Sequence, residues 1–147
     1  MTCVFFGHRD TPDSIRPILH DLLITLIEQR GVRQFYVGNQ GRFDSMVRSE
    51  LRQLAKIFPQ IRYAVVLAYL PGKKDEYDSS DGSETVYPEG LEAVPRRFAI
   101  DKRNRMMVEW ADIVVTYIAK PCGGAAKFGE LAVKKGKEIV NLYHLDG

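Results

Sequence analysis

The sequence lacks the features that mark membrane, secreted and metal-binding proteins. No apolar run approaches the length needed to cross a bilayer, and the N-terminal stretch MTCVFFGHRD lacks the charged-then-apolar layout of a signal peptide. The two cysteines, Cys3 and Cys122, do not indicate a disulfide scaffold, and the three histidines show no metal-ligand spacing. We therefore expect a cytoplasmic, reduced protein without a metal, a cofactor or a membrane partner.

The chain also lacks an excess of charge of either sign. Its 147 residues carry a formal net charge of +2, and basic residues alternate with acidic ones except between 96 and 105. Nucleic-acid-binding domains usually present a massed basic face, so we do not expect a nucleic-acid partner. Apolar residues make up 45% of the chain and charged residues 27%, which is typical of a globular protein. The length suits one domain, residues 1–147.

Short apolar runs alternate with amphipathic segments along most of the chain. The runs at 2–6, 34–37, 61–70, 113–118 and 139–142 predict strands. Most of the intervals between them show the apolar spacing of a helix. This alternation is typical of a parallel sheet that helices cover on both faces. We predict a single doubly wound, Rossmann-like α/β domain with a mainly parallel sheet of about five strands.

One long interval interrupts this alternation. Residues 71–95 are polar, acidic and rich in turn-forming residues. An interval of this length inside a compact domain is usually a functional lid or a disordered insert, and the sequence leaves both alternatives open. Tyr77 and Tyr87 favour a lid, because aromatic rings in a polar loop often cover a flat ligand.

Turns that are rich in glycine follow three of the predicted strands and bring polar groups to one edge of the sheet. Their residues are Gly7, His8, Arg9, Gly38, Asn39, Gln40, Gly41, Gly123 and Gly124. Ligands of doubly wound sheets bind at this edge. The turns at 38–41 and 123–124 each precede a predicted helix, whose unpaired N–H groups attract a phosphate or pyrophosphate. Neither G-x-G-x-x-G nor a P-loop is present, which argues against NTP hydrolysis and ordinary hydride transfer.

Four pieces of the sequence resemble the SLOG superfamily of Rossmann-like domains, which includes the Lonely Guy phosphoribohydrolases and the DprA/Smf proteins. The pieces are residues 7–9, 38–44, 103–112 and 123–130. Within the superfamily the likeness is greatest to small prophage and Firmicute proteins that open with a strand and a G-H-R motif. The resemblance implies a homodimer or higher homo-oligomer, formed through the helix at 103–110.

The Lonely Guy enzymes carry R-K-x-x-M followed by S-D, and then P-G-G-x-G-T-x-x-E. Residues 103–107 with 111–112 keep the spacing of the first motif, and residues 122–130 keep the spacing of the second. The resemblance implies that Arg103 and Glu130 are the catalytic pair that breaks the bond between base and ribose 5′-phosphate.

The second motif departs from the family pattern at three positions. Cys122 replaces the proline, Ala126 the third glycine and Lys127 the threonine. The lost glycine and hydroxyl belong to the phosphate cradle of the family. Either Lys127 replaces them with a point charge, or the anion is held differently.

Several candidate residues also have structural explanations. His8 could contact a ligand or cap backbone groups after the first strand. Asp44 could cap the helix that follows Gly41, which we favour, or contact a ribose hydroxyl. Glu130 would favour the positive end of its helix and could pair with Lys134 one turn later.

These observations predict a domain that binds a nucleotide or nucleotide-derived small molecule, of the nucleoside monophosphate or ADP-ribose type, as a sensor or sequestering module. The alternative is an N-glycosidic hydrolase that uses Glu130 and Arg103. The altered glycine motif favours binding, and the retained pair favours catalysis. Arg105 lies two residues from Arg103, so only one of them should face the site, and we predict Arg103. The predicted ligand contacts are Gly7, His8, Arg9, Gly38, Asn39, Gln40, Gly41, Asp44, Gly123, Gly124, Ala125 and Lys127.

Overall fold

A computed structural model describes residues 1–69 and 84–145 of the chain. The strands are β1 (Thr2–Gly7), β2 (Gln34–Val37), β3 (Arg62–Val66), β4 (Glu84–Val86), β5 (Ile113–Tyr117) and β6 (Glu138–Asn141). The α-helices are α1 (Arg16–Glu28), α2 (Gly41–Ile57), α3 (Ala99–Trp110) and α4 (Gly124–Lys134). Short 3-10 turns occupy Asp13–Ile15, Leu91–Ala93, Arg96–Phe98 and Leu142–His144.

The six strands form one sheet in which every neighbouring pair is parallel. Their order is β4-β3-β2-β1-β5-β6. Strands β1 to β4 follow one another toward one edge of the sheet, whereas β5 and β6 lie on the other side of β1. The strand order therefore reverses between β1 and β5, which is where ligands of doubly wound sheets bind. Gly7 pairs with Tyr117 in this register, so the two strands end side by side.

Side chains of the strands alternate between two buried layers, as the period of two in a strand requires. Cys3 and Phe5 of β1 pack with α1 and α2, whereas Val4 and Phe6 pack with α3 and α4. Helices thus cover both faces of the sheet, and the predicted doubly wound α/β class is confirmed. Every residue of β5 is buried, which explains its unbroken apolar character.

The sheet differs from the prediction at one edge. β4 lies within the interval predicted as a polar loop and pairs with β3, so the sheet has six strands rather than about five. Its three residues are exposed or half-buried, and they carry no apolar alternation that could indicate a strand. β3 ends at Val66, earlier than predicted.

Of the interval 71–95, predicted as a lid or a disordered insert, only residues 84–95 lie in the described part of the chain. Residues 71–83, including Tyr77, lie outside it. Tyr87 is half-buried and packs against the core layer on the α1 and α2 side. No helix within 1–69 and 84–145 has the length and apolarity that a membrane span requires.

Candidate functional site

A pocket opens at the reversal of strand order, beside the carboxyl ends of β1 and β5. Its volume is about 400 Å³, which is within the range of small-molecule sites. The loop after β1, the turn after β2, α3 and the start of α4 all contribute to it. The predicted site residues that line it are Gly7, His8, Arg9, Gly38, Gln40, Asp44, Arg103, Gly123, Gly124 and Ala125.

Arg103 is the most deeply buried charge of the pocket, because only 2% of its surface is exposed. Its Nε donates to Asn104 Oδ1 at 3.1 Å, and its Nη1 donates to Asn39 Oδ1 at 3.2 Å and to the Val66 carbonyl at 3.1 Å. Nη2 has no hydrogen-bond partner among the described residues. Burial lowers the pKa of Arg103, because it removes the charged guanidinium from water. The guanidinium therefore lines the pocket with unused donors.

Arg105 has a different environment from Arg103, although it lies only two residues further along α3. Its side chain is about half exposed, and its Nε donates to Asp101 at 2.7 Å. Of the two arginines, Arg103 lines the pocket and Arg105 does not.

Asp44 lies on the other side of Gly38 from Arg103. Its Oδ2 accepts the backbone N–H of Gln40 at 2.9 Å, so it caps the start of α2 as predicted. Burial raises the pKa of Asp44 to about 6. The hydrogen bond from Gln40 and the positive charges of Arg103 and Arg48 lower this pKa but do not offset the effect of burial. A Cβ on Gly38 would stand 2.8 Å from Asp44 Oδ2 and 3.1 Å from Arg103 Nη2. Only a glycine lets both side chains approach this point.

The turn before α4 leaves its backbone accessible from the pocket. Gly123 has a φ of 95°, and Gly124 begins the 11-residue helix. A Cβ built on either glycine would have no other part of the described chain within 4 Å. The unpaired N–H groups of the first turn of α4 are therefore open to an anion.

His8 anchors the loop that leads to this turn. Its Nε2 accepts the backbone N–H of Ala119 at 3.0 Å and that of Lys120 at 3.3 Å, and its ring meets Tyr117 edge-on at 6.1 Å. Nε2 is the acceptor in both hydrogen bonds, so the donor nitrogen of the ring in this arrangement is Nδ1. Of the two roles predicted for His8, the structure shows the capping of backbone groups.

Two predicted contacts support the site without lining the pocket. Asn39 accepts from Arg103, as described above. Gly41 has a φ of 85°, and a Cβ there would stand 2.8 Å from the Cα of Arg9. In this structure Asn39 therefore helps to hold Arg103, and Gly41 lets the backbone of Arg9 pack closely against the turn.

Lys127 and Glu130 also lie outside the pocket lining. The ammonium of Lys127 pairs with the carboxylate of Asp101 on α3 rather than with the 123–124 turn. Glu130 is exposed on α4. The catalytic role that the family resemblance implies for Glu130 stays a prediction.

An apolar wall of the pocket was not predicted from the sequence. Ile100, Phe6 and Phe128 line it, and the two phenylalanine rings stack with centroids 5.4 Å apart. Helical spacing could have indicated Ile100, which lies three residues before Arg103 and therefore on the same face of α3. The pocket thus combines an apolar side with a cationic side.

These features define the class of the protein as a doubly wound, Rossmann-like α/β domain with a polar pocket at the reversal of strand order. Neither a protein-family model nor a curated protein matches the chain. Within the described ranges, no three histidine, cysteine, aspartate or glutamate side chains cluster as metal ligands would.

Proposed function

We propose that this domain binds a nucleotide or nucleotide-derived small molecule as a sensor or sequestering module. The observation that carries the proposal is Arg103, whose guanidinium is buried, lines the pocket and leaves Nη2 without a partner among the described residues. The unused donors face the pocket, and charged donors form stronger hydrogen bonds than neutral ones do. An acceptor oxygen of a bound ligand would accept from these unused donors.

The open turn at 123–124 supports an anionic end of this ligand. Backbone N–H groups at the N-terminus of α4 attract phosphate through their dipoles and unpaired donors. Arg9 and Lys120 also line the pocket, and both are exposed. Asp10 lines it too and pairs with Lys120 at 3.8 Å, so Arg9 contributes most of the added positive charge. A phosphate would therefore rest on this turn, with the two cations at its rim.

The apolar wall supports a flat, weakly polar part of the same ligand. A nucleobase could pack against Ile100 and Phe128 while its phosphate contacts α4. An apolar surface beside a few polar groups is typical of sites that orient one ligand. A nucleoside monophosphate or an ADP-ribose-type molecule combines these two parts.

Binding without turnover fits the described side chains better than hydrolysis through Glu130 does. Cleavage of an N-glycosidic bond needs a carboxylate at the reacting centre, to stabilise an oxocarbenium ion or activate water. Glu130 is exposed and does not line the pocket. The hydrolase alternative is therefore kept as an outcome of the test.

The test is calorimetric titration of AMP, GMP, CMP, UMP, NAD and ADP-ribose into the purified protein, with chromatography of each mixture afterwards. We expect at least one compound to bind and to be recovered intact. Arg103→Gln should weaken that binding by at least about tenfold, because a charged hydrogen bond is lost. Arg105→Gln is the matched control on the same helix and should bind as the wild type does.

Two results would contradict the proposal. Failure of every compound to bind would exclude the nucleotide as the ligand of this pocket. Cleavage of a compound that Glu130→Gln abolishes would replace the binding module with a hydrolase of the Lonely Guy type.

A further inference from the structure

A carboxylate and a guanidinium flank Gly38 in the pocket without contacting each other. Asp44 and Arg103 both lie in the described part of the chain, and no ion pair within 4.0 Å joins them. A Cβ on Gly38 would lie 2.8 Å from Asp44 Oδ2 and 3.1 Å from Arg103 Nη2. Their separation is therefore more than 4.0 Å and less than about 6 Å, which is the span of two successive hydrogen bonds through one atom.

The hydrogen-bonding groups on the two sides of this gap are complementary. Nη2 of Arg103 offers donors that no described residue uses. The carboxylate of Asp44 accepts from the backbone N–H of Gln40, and it has acceptor positions beyond that one. A group that fills the gap must therefore accept from the arginine and donate to the aspartate.

A hydroxyl meets this requirement through a single oxygen atom, because it is both a donor and an acceptor. A phosphate oxygen only accepts, and the charge of Asp44 would repel it. The same reasoning directs the phosphate of the ligand away from Asp44 and toward the 123–124 turn, where the N–H groups at the start of α4 attract an anion.

Burial makes the gap selective. Asp44 is 7% exposed and Arg103 is 2% exposed, so water reaches their polar atoms through the pocket, and a ligand that fills the pocket displaces this water. A site that is built to hydrogen-bond a hydroxyl rejects an analogue without it strongly, because its own polar groups are then left unpaired.

We propose that Asp44 and Arg103 bind a ribose hydroxyl and so determine the specificity of the pocket for ribonucleotides over deoxynucleotides. The inference rests on the proposed function and adds which group of the nucleotide lies at Gly38. The hydroxyl accepts from Arg103 Nη2 and donates to the carboxylate of Asp44, while the phosphate contacts the start of α4.

The test compares the four ribonucleoside 5′-monophosphates with their 2′-deoxy and 3′-deoxy forms by calorimetric titration into the wild-type protein. We expect the loss of one hydroxyl to weaken binding by about 100-fold. The 2′-deoxy and 3′-deoxy series together identify which hydroxyl is bound. This comparison does not depend on the folding of any variant.

Asp44→Ala is the informative variant, because Oδ2 both accepts the Gln40 N–H and faces the gap. An amide oxygen at that position could still accept from a hydroxyl, whereas alanine leaves no acceptor there. We expect discrimination between the ribose and deoxyribose forms to fall below about tenfold. Asp101→Ala, on α3 outside the pocket lining, is the matched control and should keep the full discrimination.

The outcomes separate this inference from the proposed function. Equal affinity of the wild-type protein for ribose and both deoxyribose forms would overturn the hydroxyl assignment and leave nucleotide binding intact. Unchanged discrimination in Asp44→Ala would also overturn it. Failure of all the monophosphates to bind would overturn both the hydroxyl assignment and the monophosphate as ligand.

Discussion

The two glycine turns that precede α2 and α4 look alike in sequence but differ in what surrounds them. In the 38–41 turn, a Cβ on Gly38 or Gly41 would come within 2.8 Å of a protein atom. In the 123–124 turn, a Cβ on either glycine would meet no atom of residues 1–69 and 84–145 within 4 Å. The first turn therefore needs glycine so that the chain can pack, and the second presents bare backbone to the pocket.

This difference assigns separate roles to turns that the sequence treats as equivalent. Both were predicted as phosphate sites, because each leads into a helix. In the 38–41 turn the side chains of Asp44 and Arg103 approach the backbone, so this end of the pocket suits an uncharged hydroxyl. The 123–124 turn remains open, and we place the anion there.

The largest expected effect is on stability, and it should distinguish the two turns. Gly41→Ala places a side chain at a φ of 85° and against the backbone of Arg9, so we expect a loss of about 4 kcal/mol in the free energy of unfolding. Gly124→Ala should change this quantity by less than about 1 kcal/mol. Urea denaturation followed by circular dichroism measures both. Equal losses would mean that the turns do not differ in packing.

The next effect concerns the buried carboxylate beside the 38–41 turn. Burial raises the pKa of Asp44 from 3.8 to about 6, so the folded protein binds its proton more tightly than the unfolded chain does. This contribution to stability is present at low pH and is lost as the pH rises from 3.8 toward about 6. Asp44→Asn should remove that loss and stabilise the protein at pH 7 by about 3 kcal/mol.

Urea denaturation of the wild type and Asp44→Asn at a series of pH values measures this effect as a difference between the two proteins. Groups that titrate in both proteins cancel in that difference. A variant that is less stable than the wild type at pH 7 would show that the charge of Asp44 supports the fold rather than the site.

A smaller effect is expected for ligand affinity at the open turn. Gly124→Ala adds a methyl group where the phosphate would approach the backbone, and we expect nucleotide affinity to fall by about tenfold, or about 1.4 kcal/mol. Calorimetry measures the affinity, and the near-normal stability of the same variant is its control. Unchanged affinity would place the phosphate elsewhere.

The smallest effect should follow Asp101→Asn. This change removes the exposed ion pairs of Asp101 with Lys127 and Arg105, which should lower the free energy of unfolding by less than about 1 kcal/mol. Nucleotide affinity should stay within about twofold, because Lys127 does not line the pocket. A large gain in affinity would mean that freed Lys127 contacts the anion, as the sequence predicted.

The class of fold could be predicted from the sequence because the central strands are buried on both faces. β1 and β5 are continuous apolar runs, which only a sheet covered by helices accommodates. β4 could not be predicted, because its three edge residues are exposed or half-buried and show no pattern. The position of the pocket could also be predicted, because the carboxyl ends of parallel strands meet at one edge of the sheet.

The details of the site depended on neighbours that are distant in sequence. The spacing of Arg103 and Arg105 indicated that they face different directions, but not that Asn39 and Val66 hold Arg103 in place. The altered glycine motif allowed Lys127 to contact the anion, and the sequence did not show that Asp101, on another helix, pairs with it. Such contacts between elements determine where a long side chain ends, and local sequence does not encode them.

The most direct test of nucleotide binding in this pocket is amide NMR of the 15N-labelled protein. The protein is titrated with the four ribonucleoside monophosphates, NAD and ADP-ribose. Binding in the pocket should shift the backbone amides of Gly123, Gly124 and Ala125 and the side-chain Nε–H of Arg103 more than signals elsewhere. The absence of any shift, or shifts confined to residues outside this pocket, would contradict nucleotide binding at the reversal of strand order.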